Sequence, residues 1–189
     1  MSTHRAGETI DYRITWLEMA TRPAYGWPPL PETCKGELVK AENPPWWWFL
    51  TLYDAVGRDY AWTDKHALGP EQLNAWIQQP DVEIWTLMER GWPHGFFMLD
   101  WTEAGTCDLA YFGLVPEAVG RGLGTWLLKT AVLKGWARGG VQRMTVNTCT
   151  MDHPRAFAEG AFVHHRAERE GDRGAQGKEE VHDSVRGSA

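Results

Sequence analysis

Three glycines that alternate with larger residues, Gly120, Gly122 and Gly124, are the part of this sequence best suited to chemistry. Glycine has no Cβ atom, so a ligand can approach the backbone closely at these positions. The segment that follows, Thr125–Trp136, is predicted to be a helix, whose unpaired N–H groups and positive dipole end would lie beside the glycines. The loop therefore predicts a binding site for a phosphate or pyrophosphate group.

The spacing of the glycines separates this loop from two common nucleotide-binding loops. A dinucleotide-binding loop has the pattern GxGxxG, and an acidic residue ends a strand about 20 residues further along; this sequence shows neither feature. A Walker loop needs Gly-Lys followed by Ser or Thr, which this loop lacks. A glycine-rich turn that binds no ligand remains an alternative.

The glycine loop and the strand before it resemble the acetyl-CoA loop of the GNAT superfamily of N-acetyltransferases. The family's pattern, Arg/Gln-x-x-Gly-x-Gly/Ala, follows a strand end that reads Leu-Val-Pro-Glu here, at residues 114–117. Val119 stands where the family has Arg or Gln, so backbone N–H groups and the charge of Arg121 are expected to bind the phosphates. Segments on both sides match the family's second, third and fifth strands: Val82–Arg90, Gly95–Thr102 and Val141–Asn147.

This resemblance implies a single-domain α/β fold with a mixed central sheet flanked by helices. It also implies transfer of an acetyl group from acetyl-CoA to the amine of a small molecule, without a metal ion. Backbone N–H groups near residues 113–115 would polarise the thioester carbonyl, because the family's fourth and fifth strands diverge there. The residues expected to contact acetyl-CoA are Gly113, Leu114, Val115, Gly120, Arg121, Gly122, Leu123, Gly124 and Thr125.

Asp108 is the candidate general base, acting directly or through a water molecule. It lies early in the strand before the loop, and regular alternation puts it on the same face as Phe112 and Leu114. Tyr111 then lies on the opposite face, unless a β-bulge interrupts the strand. The alternative for Asp108 is a solvated strand end or a turn cap.

Aromatic residues are concentrated where the family binds its acceptor. All twelve tryptophans lie before residue 137, and in the GNAT family the first helices and their loop line the substrate pocket. Such a pocket suits an apolar, aromatic or cationic amine, the last through cation–π contact. Ordinary packing is the alternative for any one ring. The residues that this comparison implies for substrate binding are Trp27, Trp46, Trp47, Trp48, Tyr53 and Trp62.

Hydrophobic patterns predict the elements that would position these residues. Residues 10–19 alternate as a first strand, and the proline-rich segment at 22–31 is predicted to be irregular. Helices are expected from Pro44-Pro45 onwards and over Pro70–Gln79. Turn residues at 91–94 predict a hairpin between the two middle strands.

The composition changes after residue 162. From Val163 to Ala189 there is no Leu, Ile, Met or aromatic residue, which predicts a disordered tail, native or frame-altered, after a domain of residues 1–162. Gly160 occupies the position of the tyrosine that protonates the departing thiolate in the family. An acyl-CoA-binding protein with little or no turnover, using its Trp-rich surface for recognition, is therefore the alternative function.

Length and charge limit the classes of function. A chain of 189 residues fits one domain, and its net charge of −6 disfavours nucleic acid as a partner, because phosphate contacts need a basic face. No apolar run is long enough to span a membrane and no signal peptide is recognised, which favours the cytoplasm. The three cysteines, at wide spacings, are predicted to be buried free thiols. The oligomeric state is left open, a dimer included.

Overall fold

The described residues form one mixed β-sheet with three α-helices. The structure, a computed structural model, describes residues 10–152 and 163–173. The strands are β1 (Ile10–Met19), β2 (Glu37–Lys40), β3 (Val82–Glu89), β4 (Trp92–Asp100), β5 (Thr106–Leu114), β6 (Arg143–Cys149) and β7 (Val163–Arg173), and the helices are α1 (Trp46–Gly57), α2 (Pro70–Ile77) and α3 (Leu123–Ala137). The strand order is β2-β3-β4-β5-β6-β1-β7, and each described pair of neighbours is antiparallel except β5 and β6.

Proline and glycine residues set the starts of the helices. Helix α1 begins directly after Pro45, whose backbone is extended, and α2 has Pro70 at its first position. Helix α3 begins after Gly122, whose positive φ of 75° turns the chain out of the preceding loop. These helices, β1 and the hairpin of β3 and β4 confirm the predictions from sequence. Strand β2 was not predicted, because its 4 residues are too few to show an alternating pattern.

The helices form two layers on opposite faces of the sheet. Helices α1 and α2 cover the face to which Gly113 belongs, where a Cβ atom would lie 2.3 Å from Val56 of α1. Helix α3 covers the other face, and there a Cβ atom on Gly135 would lie 2.4 Å from the Cε atom of Met144. Both layers therefore pack tightly against the middle of the sheet.

A β-bulge interrupts β5 at Ala110. Leu109 pairs with Leu99 of β4, and Tyr111 pairs with Met98, so Ala110 is an extra residue with no opposing residue on β4. An extra residue reverses the alternation of side chains along the rest of the strand.

This bulge corrects the predicted faces of β5. Regular alternation would put Asp108 together with Phe112 and Leu114, and Tyr111 on the other face. Because of the extra residue, Asp108 and Tyr111 instead share the face that α1 and α2 cover. The candidate base and this tyrosine therefore border the same space.

Strands β5 and β6 separate after a short parallel ladder. Their paired residues run from Thr106 with Arg143 to Asp108 with Thr145. Beyond this point β5 continues along β4, while β6 continues along β1. The two strands thus leave an opening between them, which begins at Asp108.

The chain from Val163 to Arg173 forms a strand antiparallel to β1. Composition predicted a disordered tail from Val163 onwards, whereas residues 163–173 pair with β1 through their backbone, and such pairing does not require large apolar side chains. Gly160 and residues 174–189 lie outside the described residues. The domain boundary after residue 162 stays a prediction.

Two further features concern the described residues as a whole. Cys34, Cys107 and Cys149 are buried free thiols, as predicted. In the ranges given above, no helix combines the length and the apolar character that crossing a bilayer requires.

Candidate active site

The glycine loop connects the end of β5 to α3 and leaves space in front of its backbone. Gly120 and Gly122 have φ values of 85° and 75°, in the region that side chains strongly disfavour. A Cβ atom at either position would meet no atom within 4 Å. Glycine is therefore required at these positions by the positive φ and not by close packing. Gly124 differs, because its Cβ atom would lie 3.7 Å from Leu114, an ordinary contact. The loop and the first turn of α3 thus present backbone N–H groups towards open space.

The side chain of Arg121 turns back from the loop to the protein. Its guanidinium lies 2.8 Å from the carboxylate of Glu89 and also donates to the carbonyl of Thr33. The hydroxyl of Thr33 in turn donates to the Arg121 carbonyl at 2.9 Å. Arg121 therefore connects the loop to β3 and to Thr33, which follows the proline-rich segment, and its predicted charge contribution to a phosphate is shared with Glu89.

Glu89 is a buried carboxylate below the loop that the sequence did not reveal. It accepts a hydrogen bond from the backbone N–H of Lys35 at 2.7 Å, and His94 Nε2 lies 3.0 Å away. The Lys35 N–H and the Arg121 guanidinium lower its pKa to about 2. Glu89 is thus a fixed negative charge that holds the loop in place.

The end of β5 supplies backbone groups to the opening. The N–H of Val115 donates to the carbonyl of His94 at 3.1 Å, which directs it towards β4. Successive N–H groups of a strand point to alternate sides, so the N–H of Leu114 points away from β4, into the opening. Of the predicted donors at residues 113–115, Leu114 is therefore the one whose N–H is directed into the opening.

Asp108 lies at the point where β5 and β6 begin to separate. Its Oδ1 atom accepts a hydrogen bond from the hydroxyl of Thr145 at 2.6 Å. Burial raises its pKa, and the charges of Asp100 and Glu103 add to this effect, whereas the bond from Thr145 opposes it. A carboxylate with a raised pKa in this position is suited to accept a proton from a bound amine.

An aromatic cluster borders the same space on the side of α1 and α2. Tyr111 is its centre, and the ring centroids of its neighbours lie between 5.2 and 6.1 Å from that of Tyr111. The neighbouring rings belong to Phe49, Tyr53, Trp62 and Trp76. The sequence indicated Tyr53 and Trp62 as substrate residues and Tyr111 only as a strand residue, and it did not indicate Phe49 or Trp76, which fall within the two predicted helices.

Charged residues from the turn at Asp64–Ala67 complete this side. The hydroxyl of Tyr53 donates to Asp64 at 2.5 Å, and the hydroxyl of Tyr111 lies 3.4 Å from the other carboxylate oxygen. The ammonium of Lys65 lies 3.0 Å from Asp64 and 4.9 Å from the centroid of the Trp76 ring. No motif surrounds Asp64 and Lys65 in the sequence, so nothing there could have indicated them.

The other predicted substrate residues on α1 have different positions. Trp46 is half-buried, and its backbone N–H donates to the side chain of Asn74. The ring of Trp47 is 55% exposed, because it lies on the side of α1 opposite the buried residues of this helix. Trp48 is half-buried at the edge of the core.

Trp27 lies on the opposite side of the sheet from the aromatic cluster. Its ring is 5.9 Å from the ammonium of Lys134 on α3, and Lys134 lies 3.3 Å from the ring centroid of Trp85. These residues border a groove of about 510 Å³, which is lined by Trp27, Pro80, Glu83, Trp85, Trp101, Lys134, Ala137 and Arg138. The structure therefore does not bring Trp27 together with the other predicted substrate residues.

Solved structures share this fold at low sequence identity. A GCN5-related N-acetyltransferase from Sphaerobacter thermophilus has a TM-score of 0.58 and 15% identity over 87% of this chain and 52% of its own. One from Kribbella flavida has a TM-score of 0.56 and 16% identity over 84% and 56%. An aminoglycoside acetyltransferase from an uncultured soil metagenomic sample, in complex with sisomicin, has a TM-score of 0.53 and 13% identity over 67% and 86%. The chain spans little more than half of the first two proteins.

The family of this chain is given by a family model, because sequence identities of 13–16% show the fold alone. The model of the acetyltransferase (GNAT) family matches residues 49–159, which is more than half of the chain. No curated protein matches the chain. The matched range contains the glycine loop, the opening between β5 and β6, and the aromatic cluster. The chain belongs to the acetyltransferase (GNAT) family.

Proposed function

We propose that this protein transfers the acetyl group of acetyl-CoA to the amine of a small molecule. The opening between β5 and β6 carries the proposal. The glycine loop lies at one end of this opening, and Asp108 and the aromatic cluster border it on the side of α1 and α2. A donor and an acceptor could therefore meet there from two directions.

Residues 113–125 form the donor side. The open space before Gly120 and Gly122 fits a pyrophosphate, which backbone N–H groups at the start of α3 would bind. The free side of β5 fits the pantetheine arm. The residues that would contact acetyl-CoA are Gly113, Leu114, Val115, Gly120, Arg121, Gly122, Leu123, Gly124 and Thr125. Within this set, Arg121 serves chiefly to fix the loop through Glu89.

Asp108 and Leu114 have the chemical roles in this proposal. Bound acetyl-CoA would supply a thioester: its carbonyl carbon forms the new C–N bond, its C–S bond breaks, and the CoA thiolate leaves and takes up the second proton that the attacking nitrogen releases. Asp108 accepts the proton that the ammonium must lose before it can attack, directly or through a water molecule. The N–H of Leu114 donates to the oxyanion that develops on the carbonyl.

The aromatic cluster forms the acceptor side. Its rings, with the carboxylate of Asp64, suit an amine that arrives as a cation. Trp46 and Trp47 of α1 are retained as proposed substrate contacts, while Trp27 is left out. The reaction needs no metal ion and no nucleic acid. Free thiols at all three cysteines support a reducing compartment such as the cytoplasm.

Calorimetry and thiol release test the proposal together. We expect acetyl-CoA to bind, and primary amines to accelerate the release of free CoA thiol. Failure to bind acetyl-CoA would overturn the whole proposal. Binding without thiol release, across a panel of aliphatic and aromatic amines, would favour the acyl-CoA-binding alternative.

A further inference from the structure

The side chain of Lys65 is held inside the acceptor side of the site. Its ammonium contacts the carboxylate of Asp64 at 3.0 Å and lies over the rings of Trp76 and Tyr111, 4.9 and 6.0 Å from their centroids. Only 23% of this side chain is exposed. We call the carboxylate of Asp64 and the two ring faces the ammonium cradle.

The cradle has the features that recognise an alkylammonium ion. A carboxylate compensates the charge, and the negative faces of aromatic rings attract a cation through their quadrupoles. The hydroxyls of Tyr53 and Tyr111 fix the carboxylate, at 2.5 and 3.4 Å from its two oxygens. A lysine ammonium is well hydrated when exposed, so it does not require a fixed carboxylate and two ring faces around it.

The position of the cradle connects it to the proposed reaction. Tyr111 belongs both to the cradle and to β5, and the bulge at Ala110 puts it on the face of Asp108. An ammonium in the cradle is therefore on the side from which an acceptor would reach the opening.

Lys65 can leave the cradle without disturbing the fold. It is in a short 3-10 turn, Asp64–Ala67, none of whose residues is buried. The ion pair joins neighbours in sequence, so rotation about side-chain bonds is enough to release the ammonium.

We infer that Lys65 is a built-in occupant of the acceptor's ammonium subsite, and that the acceptor is a primary alkylammonium that displaces it. This inference rests on the proposed function. An internal occupant lowers the apparent affinity by the fraction of time that the subsite is free, so an occupancy of about nine-tenths weakens binding about tenfold.

Steady-state kinetics with n-butylamine, which matches the Lys65 side chain, gives the first test. We expect Lys65→Met, which keeps the apolar stem, to lower the KM for n-butylamine by about tenfold, and Lys65→Arg to keep it near that of the original protein. The matched control is Lys129→Met, because Lys129 also lies over a tyrosine ring, that of Tyr25 at 5.6 Å, but on α3. Its KM should not change. An unchanged or raised KM in Lys65→Met would overturn the inference.

Chemical labelling of the unaltered protein gives a second test that does not depend on turnover or on a variant's folding. Tetramethylammonium has the charge of the acceptor but no N–H group, so it can compete for the cradle without reacting. Reductive methylation, read by peptide mass spectrometry, should label Lys65 faster in tetramethylammonium chloride than in sodium chloride at equal ionic strength. Labelling of Lys129 should be the same in both salts. Equal labelling of Lys65 would contradict the inference.

The two tests separate this inference from the proposed function. If acetyl-CoA does not bind but tetramethylammonium exposes Lys65, the cradle binds a cation and the proposed reaction is wrong. If acetyl-CoA binds and amines release thiol, but neither Lys65→Met nor tetramethylammonium has an effect, the inference alone is wrong.

Discussion

At the scale of single residues, Asp108 shows how burial raises the pKa of a carboxyl group. Desolvation raises its pKa, and nearby Asp100 and Glu103 act in the same direction. A carboxyl group whose pKa is raised by folding favours the folded state most at low pH, and this contribution is lost as the pH rises through the raised value. The charged form therefore costs stability at neutral pH, although the proposed general base must be in this form to accept a proton.

The variant Asp108→Asn should separate these two effects. We expect acetyl transfer to fall by roughly 10²–10⁴, the usual contribution of a general base, with little change in acetyl-CoA affinity. The same variant should melt at a higher temperature than the original protein at pH 7, because the buried charge is gone while Thr145 can still donate to the amide oxygen. Thiol-release kinetics and thermal unfolding at pH 7 measure the two quantities.

The control for this prediction is Asp100→Asn. Asp100 is the cross-strand neighbour of Asp108, and its carboxylate accepts bonds from Thr102. Removing its charge should shift the acid limb of the pH–rate profile to lower pH, since Asp100 helps to raise the pKa of Asp108. If Asp100→Asn lowers turnover as much as Asp108→Asn does, the loss in both variants is due to the combined charge of Asp100 and Asp108 and not to a general base at Asp108.

Glu89 has the opposite electrostatics, and it predicts a different pH dependence. Its pKa is lowered from 4.5 to about 2, so its contribution to stability is present above pH 4.5 and is lost as the pH falls towards 2. The variant Glu89→Gln should melt several degrees lower at pH 7, and the difference should shrink as the pH falls through this window. Thermal unfolding from pH 7 to pH 2.5 measures it, with the exposed Glu117→Gln as a control that should match the original protein. A difference that stays constant with pH would assign the effect to packing.

Residues with a local pattern could be predicted, and those defined by distant contacts could not. The glycines predict their loop because their spacing is what a backbone with positive φ and no side chains requires. Glu89 acquires its role only when Arg121 and Lys35, far away in sequence, meet its carboxylate. The same holds for Asp64, whose partners Tyr53 and Tyr111 come from α1 and β5.

At the scale of elements, β5 has the largest influence on the site. The bulge at Ala110 turns Tyr111 towards α1, and the separation from β6 after Asp108 makes the opening. Hydrophobic alternation correctly located the strand but assigned the wrong face to Tyr111, because one extra residue shifts the pattern by half a period. No residue type in this strand marks the bulge, since Ala110 fits a regular strand equally well.

The glycine loop predicts unequal effects of two neighbouring substitutions. Gly122→Val introduces a branched side chain at a φ of 75° and fills the open space, so it should abolish the stabilisation by acetyl-CoA. Stabilisation of the original protein should reach about 2.7 kcal/mol at a hundredfold excess over Kd. Gly124→Ala, in the first turn of α3, adds only an ordinary contact with Leu114 and should bind normally. Thermal shift with and without acetyl-CoA compares them, and equal binding by both variants would exclude the loop as the phosphate site.

At the scale of the whole molecule, the order of elements was predictable and the end of the sheet was not. The family resemblance and the alternating segments predicted the mixed sheet between layers of helices. The polar composition after residue 162 predicted coil, yet residues 163–173 pair with β1. A strand that relies on backbone hydrogen bonds to an existing sheet edge needs no apolar pattern of its own. Composition therefore cannot distinguish such a strand from coil.

Removing β7 tests whether this pairing contributes to stability. The pairs extend from Glu18 with Val163 to Ile10 with Arg173, so a chain that ends at residue 162 leaves β1 as an unprotected edge strand. We expect it to melt several degrees lower than a chain that ends at Arg173, corresponding to about 1 kcal/mol or more in a domain of this size. The second chain is the matched reference, because it keeps every pair between β1 and β7. If both truncated chains melt at the same temperature, the pairing of β7 with β1 adds no stability to the domain.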